Sequence, residues 1–226
     1  PVGFGSDFVR RLPSSVKAAI CWRAAPSGGA DFSAYARVLC NYPSVIEQYR
    51  AAGMRAVYFS PAHDPALEHY AGSASRSVDV LFVGTYSRHH VTRAPILEAV
   101  ARLADTFRIE YALEVSRFTR LAETPLGYLL PRSGRYRRPQ AIRRVTRPPL
   151  YGADYYRKLG DARIVLNGAI DMSGEDKGNM RCWEALGARS LMITDKGAYP
   201  AGFVDGENML TYRSADEAVS LVRRYL

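Results

Sequence analysis

Cysteine is scarce in this sequence, and long apolar runs are missing. Cys21, Cys40 and Cys182 lie far apart and form no C-x-x-C pair, which argues against a disulfide framework and a structural zinc site. A reducing compartment is then the simplest assumption, so we expect a cytoplasmic location. No apolar run approaches the roughly 20 residues that a membrane-spanning helix needs. No signal peptide is visible, although the chain starts at Pro1 rather than at a methionine.

The common nucleotide and metal signatures are missing as well. Neither G-x-G-x-x-G nor the P-loop lysine pattern occurs, which disfavours NAD chemistry and ATP hydrolysis. The histidines form no H-E-x-x-H arrangement and show no zinc-ligand spacing, so we expect no bound metal. His89 and His90 are candidates for phosphate contact or acid–base chemistry, beside the plainer interpretation that they are exposed. The aromatic motifs of an RNA-binding module do not occur either.

The composition indicates a globular protein with an anionic partner. Of the 226 residues, 47% are hydrophobic and 23% are charged, as in an ordinary folded domain. The length allows one large domain or two small ones. The net charge is +9, which favours a nucleotide phosphate, a nucleic acid, an acidic glycan or a membrane surface as partner. Charge alone does not choose among these.

Short apolar runs alternate with helical periodicity along the chain, which favours an α/β fold with parallel sheets. We expect strands at 17–22, 37–40, 56–60, 78–83, 108–115, 163–166, 190–194 and 208–212. We expect helices at 41–53, 92–104, 151–159, 179–186 and 214–226. Ser214 can cap the last helix, with Glu217 at the capping-box position. The connection 61–77 predicts a domain boundary near residue 72.

The strand at 78–83 runs into a hydroxyl-rich turn, FVGTYSRHHVTR. Gly84 would let the backbone approach a ligand closely, because it has no side chain in the way, and Thr85 follows it. The N-terminus of the next helix attracts phosphate, and Arg88 and Arg93 could add charge-assisted bonds to a diphosphate. The alternative is a plain turn after a strand.

A strand–loop–helix–strand unit at 162–195 organises the rest of the chain. Ligands of such units bind where loops leave the carboxyl ends of the strands, so the loop after Asn167 is the first candidate. Asn179 can cap the helix, and Gly187 can end it in the left-handed conformation. The charged residues of the loop and helix are Asp171, Glu175, Asp176, Arg181 and Glu184. Asp171 and Glu175 are interpreted as solvated charges, and Glu184 as a functional carboxylate suited to a ribose diol.

Residues 132–147 hold seven arginines and no acidic residue, with Tyr136 between them and prolines around them. We expect an extended loop here. Such a segment could bind RNA, an acidic glycan or lipid headgroups, or it could be a solvated face. Because a nucleic-acid pattern is missing, we expect no nucleic-acid partner. Peripheral association with an anionic membrane or glycan through 132–147 stays open.

Four segments carry a resemblance to a known family. DVLFVGTY, RIVLN, NMRCWEALGARSLMITD and GFVDGENMLTYRSADEAVSLVRRYL resemble the glycosyltransferases related to spore-maturation proteins, the glycosyl transferases group 1 set. The likeness covers about residues 78–226 well and 17–70 more loosely. It implies the GT-B fold, two Rossmann-like lobes with the active site between them. Residues 1–72 would be the end of the N-terminal lobe and the linker, and 73–226 the complete nucleotide-sugar-binding lobe.

The resemblance also implies roles for single residues. Glu184 would hold the donor ribose, while Arg181 and the loop N–H groups would face the diphosphate. Asp176 stands where related retaining enzymes have a glutamate. The predicted site therefore comprises Asp176 and Arg181 as catalytic residues and, as donor-binding residues, Gly84, Thr85, Arg88, Arg93, Asn167, Gly178, Asn179, Met180 and Glu184.

The implied reaction moves a sugar from a nucleoside diphosphate-sugar donor to the hydroxyl of a glycan or small-molecule acceptor, in polysaccharide or cell-surface glycan synthesis. The family needs no bound metal. The acceptor pocket should lie in the N-terminal lobe, so we expect this chain alone to bind donor weakly and to turn over poorly. Two alternatives are a non-catalytic scaffold for polysaccharide or spore-coat assembly and a nucleic-acid binder that uses the arginine segment.

Overall fold

The computed structural model describes residues 4–72, 75–88, 90–168 and 174–226. The chain divides into two units. The first unit takes its described residues from Pro1–Ala62, Ala169–Trp183 and Gly197–Phe203. The second takes its described residues from His63–Gly168, Glu184–Lys196 and Val204–Leu226. The domain boundary near residue 72 stays a prediction.

A three-stranded parallel sheet of order β1-β2-β3 is the centre of the first unit. The elements of this unit are α1 (Ser6–Arg10), β1 (Ile20–Trp22), β2 (Arg37–Cys40), α2 (Pro43–Ala51) and β3 (Ala56–Tyr58). Helix α2 buries Val45, Ile46 and Tyr49, the spacing of one helix face. Gly53 follows the helix at φ 76°, the left-handed conformation that glycine adopts most readily after a helix.

A six-stranded sheet is the centre of the second unit. Its strands are β4 (Val78–Thr85), β5 (Ile109–Glu114), β6 (Thr146–Arg147), β7 (Ala162–Leu166), β8 (Leu191–Asp195) and β9 (Met209–Tyr212). Its helices are α3 (Glu68–Ala71), α4 (Arg93–Ala101), α5 (Arg117–Ala122), α6 (Pro125–Leu129), α7 (Gln140–Val145), α8 (Gly152–Asp161) and α10 (Ala215–Tyr225). Short 3-10 turns lie at Pro65–Leu67, Arg102–Asp105 and Ser133–Tyr136. In the part of the chain that the structure describes, no helix is long and apolar enough to cross a bilayer.

The strand order of this sheet is β6-β5-β4-β7-β8-β9, and each described pairing is parallel. The chain builds from β4 to one edge, returns to the middle at β7 and builds to the other edge. The order therefore reverses between β4 and β7, the place where an open α/β sheet forms its ligand crevice. The predicted α/β class with Rossmann-like parallel sheets is confirmed. Helix α9 (Met180–Gly187) carries the chain from the first unit into the second.

The six-stranded sheet is covered on both faces. Every residue of β5 from Ile109 to Leu113 is buried, and the rings of Phe82 and Tyr111 meet edge to face with centroids 5.6 Å apart. Burial on both faces explains the near-continuous apolar strands of the sequence. Glu110 is the charged exception. Burial alone would raise its pKa, but Lys158 at 2.8 Å and Arg108 at 3.1 Å together outweigh that effect and hold the pKa below its ordinary value.

The segment 132–147 is not the extended loop that its arginines and prolines predict. It includes a 3-10 turn, α7 and β6, and α5 and α6 precede it. Helix α7 buries only Ile142 and Val145, three positions apart. Two apolar residues among arginines make too short a period to identify a helix from the sequence.

The predicted left-handed stop at Gly187 is wrong, since Arg189, at φ 57°, is the left-handed residue after α9. Gly187 is still part of the helix. A Cβ at this position would lie 2.2 Å from the ring of His63. The glycine therefore allows close packing rather than an unusual backbone conformation.

The predicted cap of α10 is confirmed. The N–H of Glu217 donates to Oγ of Ser214 at 3.1 Å. The Glu217 carboxylate in turn accepts the N–H of Arg213 at 2.6 Å, one residue before the cap. Both bonds satisfy N–H groups that a helix start leaves without an intrahelical acceptor.

Candidate functional site

The carboxyl ends of β4 and β7 meet at the reversal point of the six-stranded sheet. The two strands are paired, with Val80 opposite Ile164. Gly84 and Thr85 end β4, and Asn167 directly follows β7. Parallel strands end at the same edge of a sheet, so these predicted residues share one side of the second unit. This edge is the candidate site.

Arg93 is a buried cation at this edge, with 8% of its surface exposed. Its Nη2 donates to the backbone oxygen of Thr85 at 3.1 Å and to Nδ1 of His90 at 2.6 Å. Its guanidinium lies over the ring of Phe82, with Cζ 5.7 Å from the centroid. A Cβ at Gly168 would lie 3.3 Å from Cγ of Arg93. The side chain is thus held between the end of β4 and the turn after β7.

Gly84 provides the space that the predicted close approach requires. Its φ is 152°, in the region that favours glycine. A Cβ there would lie 3.3 Å from the ring of Phe82, the same ring that Arg93 covers. Any larger residue would have to displace that ring, so the turn after β4 depends on the glycine.

Asn167 is built into the sheet edge by bonds on both sides. Its N–H donates to the backbone oxygen of Ile193 at 2.8 Å, and its Nδ2 donates to Oγ1 of Thr194 at 3.2 Å. Its backbone oxygen accepts the hydroxyl of Tyr212 at 2.7 Å. Burial, followed by the charge of Asp195, raises the pKa of that phenol. Asn167 therefore fixes the start of the loop that leaves β7.

A cavity of about 430 Å³ lies at the carboxyl ends of β4 and β5. Two of the predicted donor-binding residues, Thr85 and Arg88, line it together with hydroxyl groups and further arginines. Its full lining is Thr85, Tyr86, Ser87, Arg88, Glu114, Val115, Ser116, Thr119, Arg135, Tyr136, Arg137 and Arg138. Four arginines against one carboxylate make the cavity cationic, as an anion site requires.

Tyr86 joins this cavity to α4. Its hydroxyl donates to Glu98 at 2.6 Å. Burial, followed by this bond, raises the pKa of Tyr86 to about 12 in spite of the neighbouring Arg88. The phenol therefore stays a neutral donor and acceptor across the physiological range.

Glu184 lies on α9 and is held by two phenols of α8. Its Oε2 accepts the hydroxyl of Tyr155 at 2.5 Å, and its Oε1 accepts that of Tyr156 at 3.4 Å. Burial, followed by the charge of Glu184, raises the pKa of Tyr156. The carboxylate is thus oriented by hydrogen bonds rather than left as a solvated charge. Its role in ribose binding stays a prediction.

The remaining predicted residues lie in the first unit. Oδ2 of Asp176 accepts the N–H of Ser44 at 2.6 Å, at the start of α2, where the preceding Tyr42 supplies no side-chain cap. The backbone oxygen of Gly178 accepts Nδ2 of Asn41 at 2.8 Å. Gly178 has φ 110°, and a Cβ there would lie 2.9 Å from Pro200. The loop is therefore tied to the start of α2.

Asn179, Met180 and Arg181 begin α9 in this unit. The backbone oxygen of Asn179 accepts the N–H of Cys182 at 3.0 Å, and its Oδ1 lies 3.6 Å from Sγ of the same cysteine. Met180 is exposed and Arg181 is partly buried. The catalytic roles of Asp176 and Arg181 stay predictions.

We expect Asp176→Ala to destabilise the first unit by about 1 kcal/mol, because the start of α2 loses its side-chain acceptor. Chemical denaturation followed by circular dichroism measures the change. Glu175→Ala is the matched control, since it removes an exposed carboxylate from the same loop. Equal stability of the two variants would contradict the capping role.

The structure thus brings Gly84, Thr85, Arg88, Arg93 and Asn167 to one edge of the second unit. Glu184 belongs to the same unit, whereas the other predicted residues belong to the first. The predictions for Asp171 and His89 fall outside the described residues. Within the described ranges, no three or more His, Cys, Asp or Glu residues are grouped as metal ligands would be. Metal independence stays a prediction.

Sequence reasoning missed several residues of the site. Tyr212 and Thr194 fix Asn167, Tyr155 and Tyr156 hold Glu184, and Ser116, Thr119, Arg135 and Tyr136 line the cavity. The tyrosine pair directly before the central unit is a signal that a predicted helix at 151–159 could have used. The others come from distant stretches, so only the fold brings them to the site.

A doubly wound parallel sheet with a buried arginine and a cationic cavity at its carboxyl edge defines a Rossmann-like α/β domain with an anion-binding edge. The chain belongs to the glycosyl transferase-like family, whose model matches residues 93–226. That match covers α4 to α10, and so begins with Arg93 itself. No curated protein matches the chain. The predicted membership of a glycosyltransferase family is therefore confirmed. The relation to spore-maturation proteins stays a prediction.

Proposed function

We propose that this protein is a GT-B glycosyltransferase that moves a sugar from a nucleoside diphosphate donor to an acceptor hydroxyl. The single observation that carries the proposal is the buried guanidinium of Arg93 at the reversal point of the sheet, beside a cationic cavity. Thr85 and His90 hold this guanidinium in place, and a diphosphate at this edge would meet its fixed positive charge.

The diphosphate would lie across the turn after β4. Arg93 and Arg88 would donate charge-assisted bonds to its oxygens, and Gly84 would let the backbone N–H groups come close. Negative charge grows on the diphosphate as the sugar leaves. Fixed arginines that face this charge lower the barrier, because they need no reorganisation during the reaction. They would supply the positive charge that other transferases take from a metal ion.

Glu184 would receive the ribose. Tyr155 orients the carboxylate, and the hydroxyls of a ribose diol would donate to its oxygens. Arg181 and the N–H groups near Gly178 and Asn179 are proposed to face the diphosphate, as the resemblance implies. The acceptor would be a glycan or a small molecule, in a cytoplasmic pathway of glycan synthesis.

Titration calorimetry with a panel of nucleoside diphosphates tests the proposal. We expect one nucleotide to bind, and Glu184→Gln to weaken it about tenfold, because a bond to a charged group contributes about 1.5–3 kcal/mol. Glu207→Gln is the control, since it makes the same change at an exposed carboxylate of the same unit. We expect this control to stay within about threefold of the unchanged protein.

Two results would count against the proposal. If titration with every nucleotide gave no heat of binding, the chain would have no donor site. Unchanged nucleotide affinity in Glu184→Gln would show that this carboxylate does not bind the ribose. The scaffold alternative is not favoured, because the family match is to a transferase-like domain.

A further inference from the structure

The hairpin of α5 and α6 exposes its apolar side chains to solvent. In α5, Phe118 and Leu121 are three positions apart, and so are Leu126 and Leu129 in α6, so each pair lies on one helix face. Leu130 directly follows. These five side chains have between 43% and 80% of their surface exposed, and we call them the apolar hairpin face. Exposed leucines are ordinary when scattered, but five within 13 residues of one hairpin form a patch.

The interior of the hairpin is polar instead. Nε of Arg137 donates to the backbone oxygen of Ala122 at 3.0 Å, and its Nη2 donates to that of Gly127 at 2.8 Å. Arg138 and Glu123 form an ion pair at 2.7 Å with only 13% of each side chain exposed. Burial alone would raise the pKa of Glu123, but Arg138 outweighs it and lowers that pKa. In this hairpin polar side chains lie inside and apolar side chains lie outside, the reverse of the usual arrangement in a folded domain.

Two helix caps and one close contact hold the hairpin together. Ser116 caps α5 and Thr124 caps α6, with N–H to Oγ distances of 3.1 Å in both. The helices meet at Gly127, where a Cβ would lie 2.1 Å from the backbone oxygen of Leu121. The apolar hairpin face is therefore presented by a fixed framework and does not result from a loose segment.

The charge around this face has one sign. Residues 117–147 contain nine arginines and one acidic residue, Glu123, so they carry +8 of the chain's net +9. Glu123 is already paired with buried Arg138. The arginines of this segment that are exposed are Arg117, Arg120, Arg132, Arg135, Arg143, Arg144 and Arg147.

We propose that the apolar hairpin face docks onto the surface of an anionic lipid bilayer. Leucine and phenylalanine would enter the headgroup–acyl boundary, and the arginines would remain among the anionic headgroups. Long arginine side chains can reach charged headgroups while the neighbouring apolar groups are buried. Both kinds of contact act on the same hairpin, and binding strength rises with both.

The combination of charge and apolar surface favours a bilayer over other anionic partners. A soluble glycan or nucleic acid would use the arginines and leave five apolar side chains in water. The core of a protein interface is depleted of charged residues, whereas this patch is surrounded by arginines. A bilayer satisfies both features at once.

Docking would also bring the cavity to the membrane surface. Tyr136 stacks on Phe118 with ring centroids 5.5 Å apart. The same Tyr136 and its neighbour Arg135 line the cavity at the ends of β4 and β5. The hairpin therefore has one side toward the cavity and another toward solvent.

Co-sedimentation with lipid vesicles tests this proposal without any nucleotide, so its outcome is independent of the proposed transferase activity. We expect the chain to bind vesicles of phosphatidylcholine with phosphatidylglycerol and not vesicles of phosphatidylcholine alone. The double variant Leu126→Ser and Leu129→Ser should lower the partition coefficient about tenfold or more, because two buried leucines are lost. The control Val16→Ser and Ile20→Ser removes two exposed aliphatic side chains from the first unit and should bind like the unchanged chain.

A second pair of variants tests the charge. Arg132→Gln with Arg135→Gln should weaken vesicle binding about thirtyfold, since each basic residue near the surface contributes about 1 kcal/mol. Arg223→Gln with Arg224→Gln removes the same charge from exposed positions of α10 and should change binding much less. Thermal melting of each variant checks that all remain folded.

Three results would overturn the proposal. The first is failure of the unchanged chain to sediment with anionic vesicles. The second is equal loss of binding in the leucine variant and its aliphatic control. The third is a leucine-dependent dimer in light scattering together with no vesicle binding, which would make the face an interface between two copies of this chain.

Discussion

Arg93→Gln is expected to weaken donor-nucleotide binding about tenfold or more and to lower the free energy of unfolding by about 1–3 kcal/mol. The shorter neutral amide cannot reach both acceptors of the guanidinium, the backbone oxygen of Thr85 and Nδ1 of His90. Those two acceptors would lose their donor, and the diphosphate would lose a fixed charge. Calorimetry with the nucleotide that binds best and urea denaturation measure the two effects.

Arg102→Gln is the matched control for this prediction. Arg102 directly follows the same helix, but 68% of its side chain is exposed and its nearest carboxylate, on Glu98, is 4.0 Å away. An exposed pair of this kind contributes little, so we expect changes within about 0.5 kcal/mol.

Arg93→Lys separates charge from geometry, because lysine keeps the charge and lacks the planar fork. We expect its nucleotide affinity to lie between that of the unchanged protein and that of Arg93→Gln. Full affinity in Arg93→Gln, with a stability loss alone, would show that the arginine is structural and that the diphosphate binds elsewhere.

Gly160→Ala is expected to destabilise the second unit by about 3 kcal/mol, the upper part of the usual range for overpacking. Helices α3 and α8 meet at this glycine, where a Cβ would lie 2.0 Å from the backbone oxygen of Ala71. A backbone atom cannot rotate aside as a side chain can, so the two helices must separate. Since α8 also carries Tyr155 and Tyr156, the orientation of Glu184 should change with it.

Gly134→Ala is the control, because a Cβ there meets no atom within 4 Å. Its unfolding free energy should stay within about 0.5 kcal/mol of that of the unchanged chain. Urea denaturation followed by circular dichroism measures both variants. Equal midpoints for the two would mean that α3 and α8 are not tightly packed at Gly160.

Patterns within a few neighbouring residues were sufficient to predict much of the fold. Branched apolar runs marked the strands, because a strand buried on both faces has few positions for polar residues. Ser214 and Glu217 marked the start of α10, since caps act within one turn of the chain. The hairpin of α5 and α6 was not predicted, because arginine and glutamate side chains lie inside it and its leucines face outward, against the pattern that sequence reasoning assumes.

The candidate site was predictable where it follows from strand ends. Gly84 and Asn167 end two strands in the sequence, and parallel pairing brings them to one edge. The hydrogen-bond partners of the site residues were not predictable in the same way. Asp176 accepts from Ser44 across 132 positions, and Glu184 accepts from Tyr155 across 29. A hydroxyl or an N–H has no sequence pattern that identifies a distant acceptor.

By itself the sequence determined that this chain builds parallel α/β sheets, carries a strong positive charge and resembles a glycosyltransferase. Each of these depends on composition or on patterns within a few turns of chain. Only the tertiary structure decided that Arg93 is buried, that arginines line a cavity and that the leucines of one hairpin face solvent. Burial and contact depend on which segments meet in space, and the packing of the whole sheet determines that.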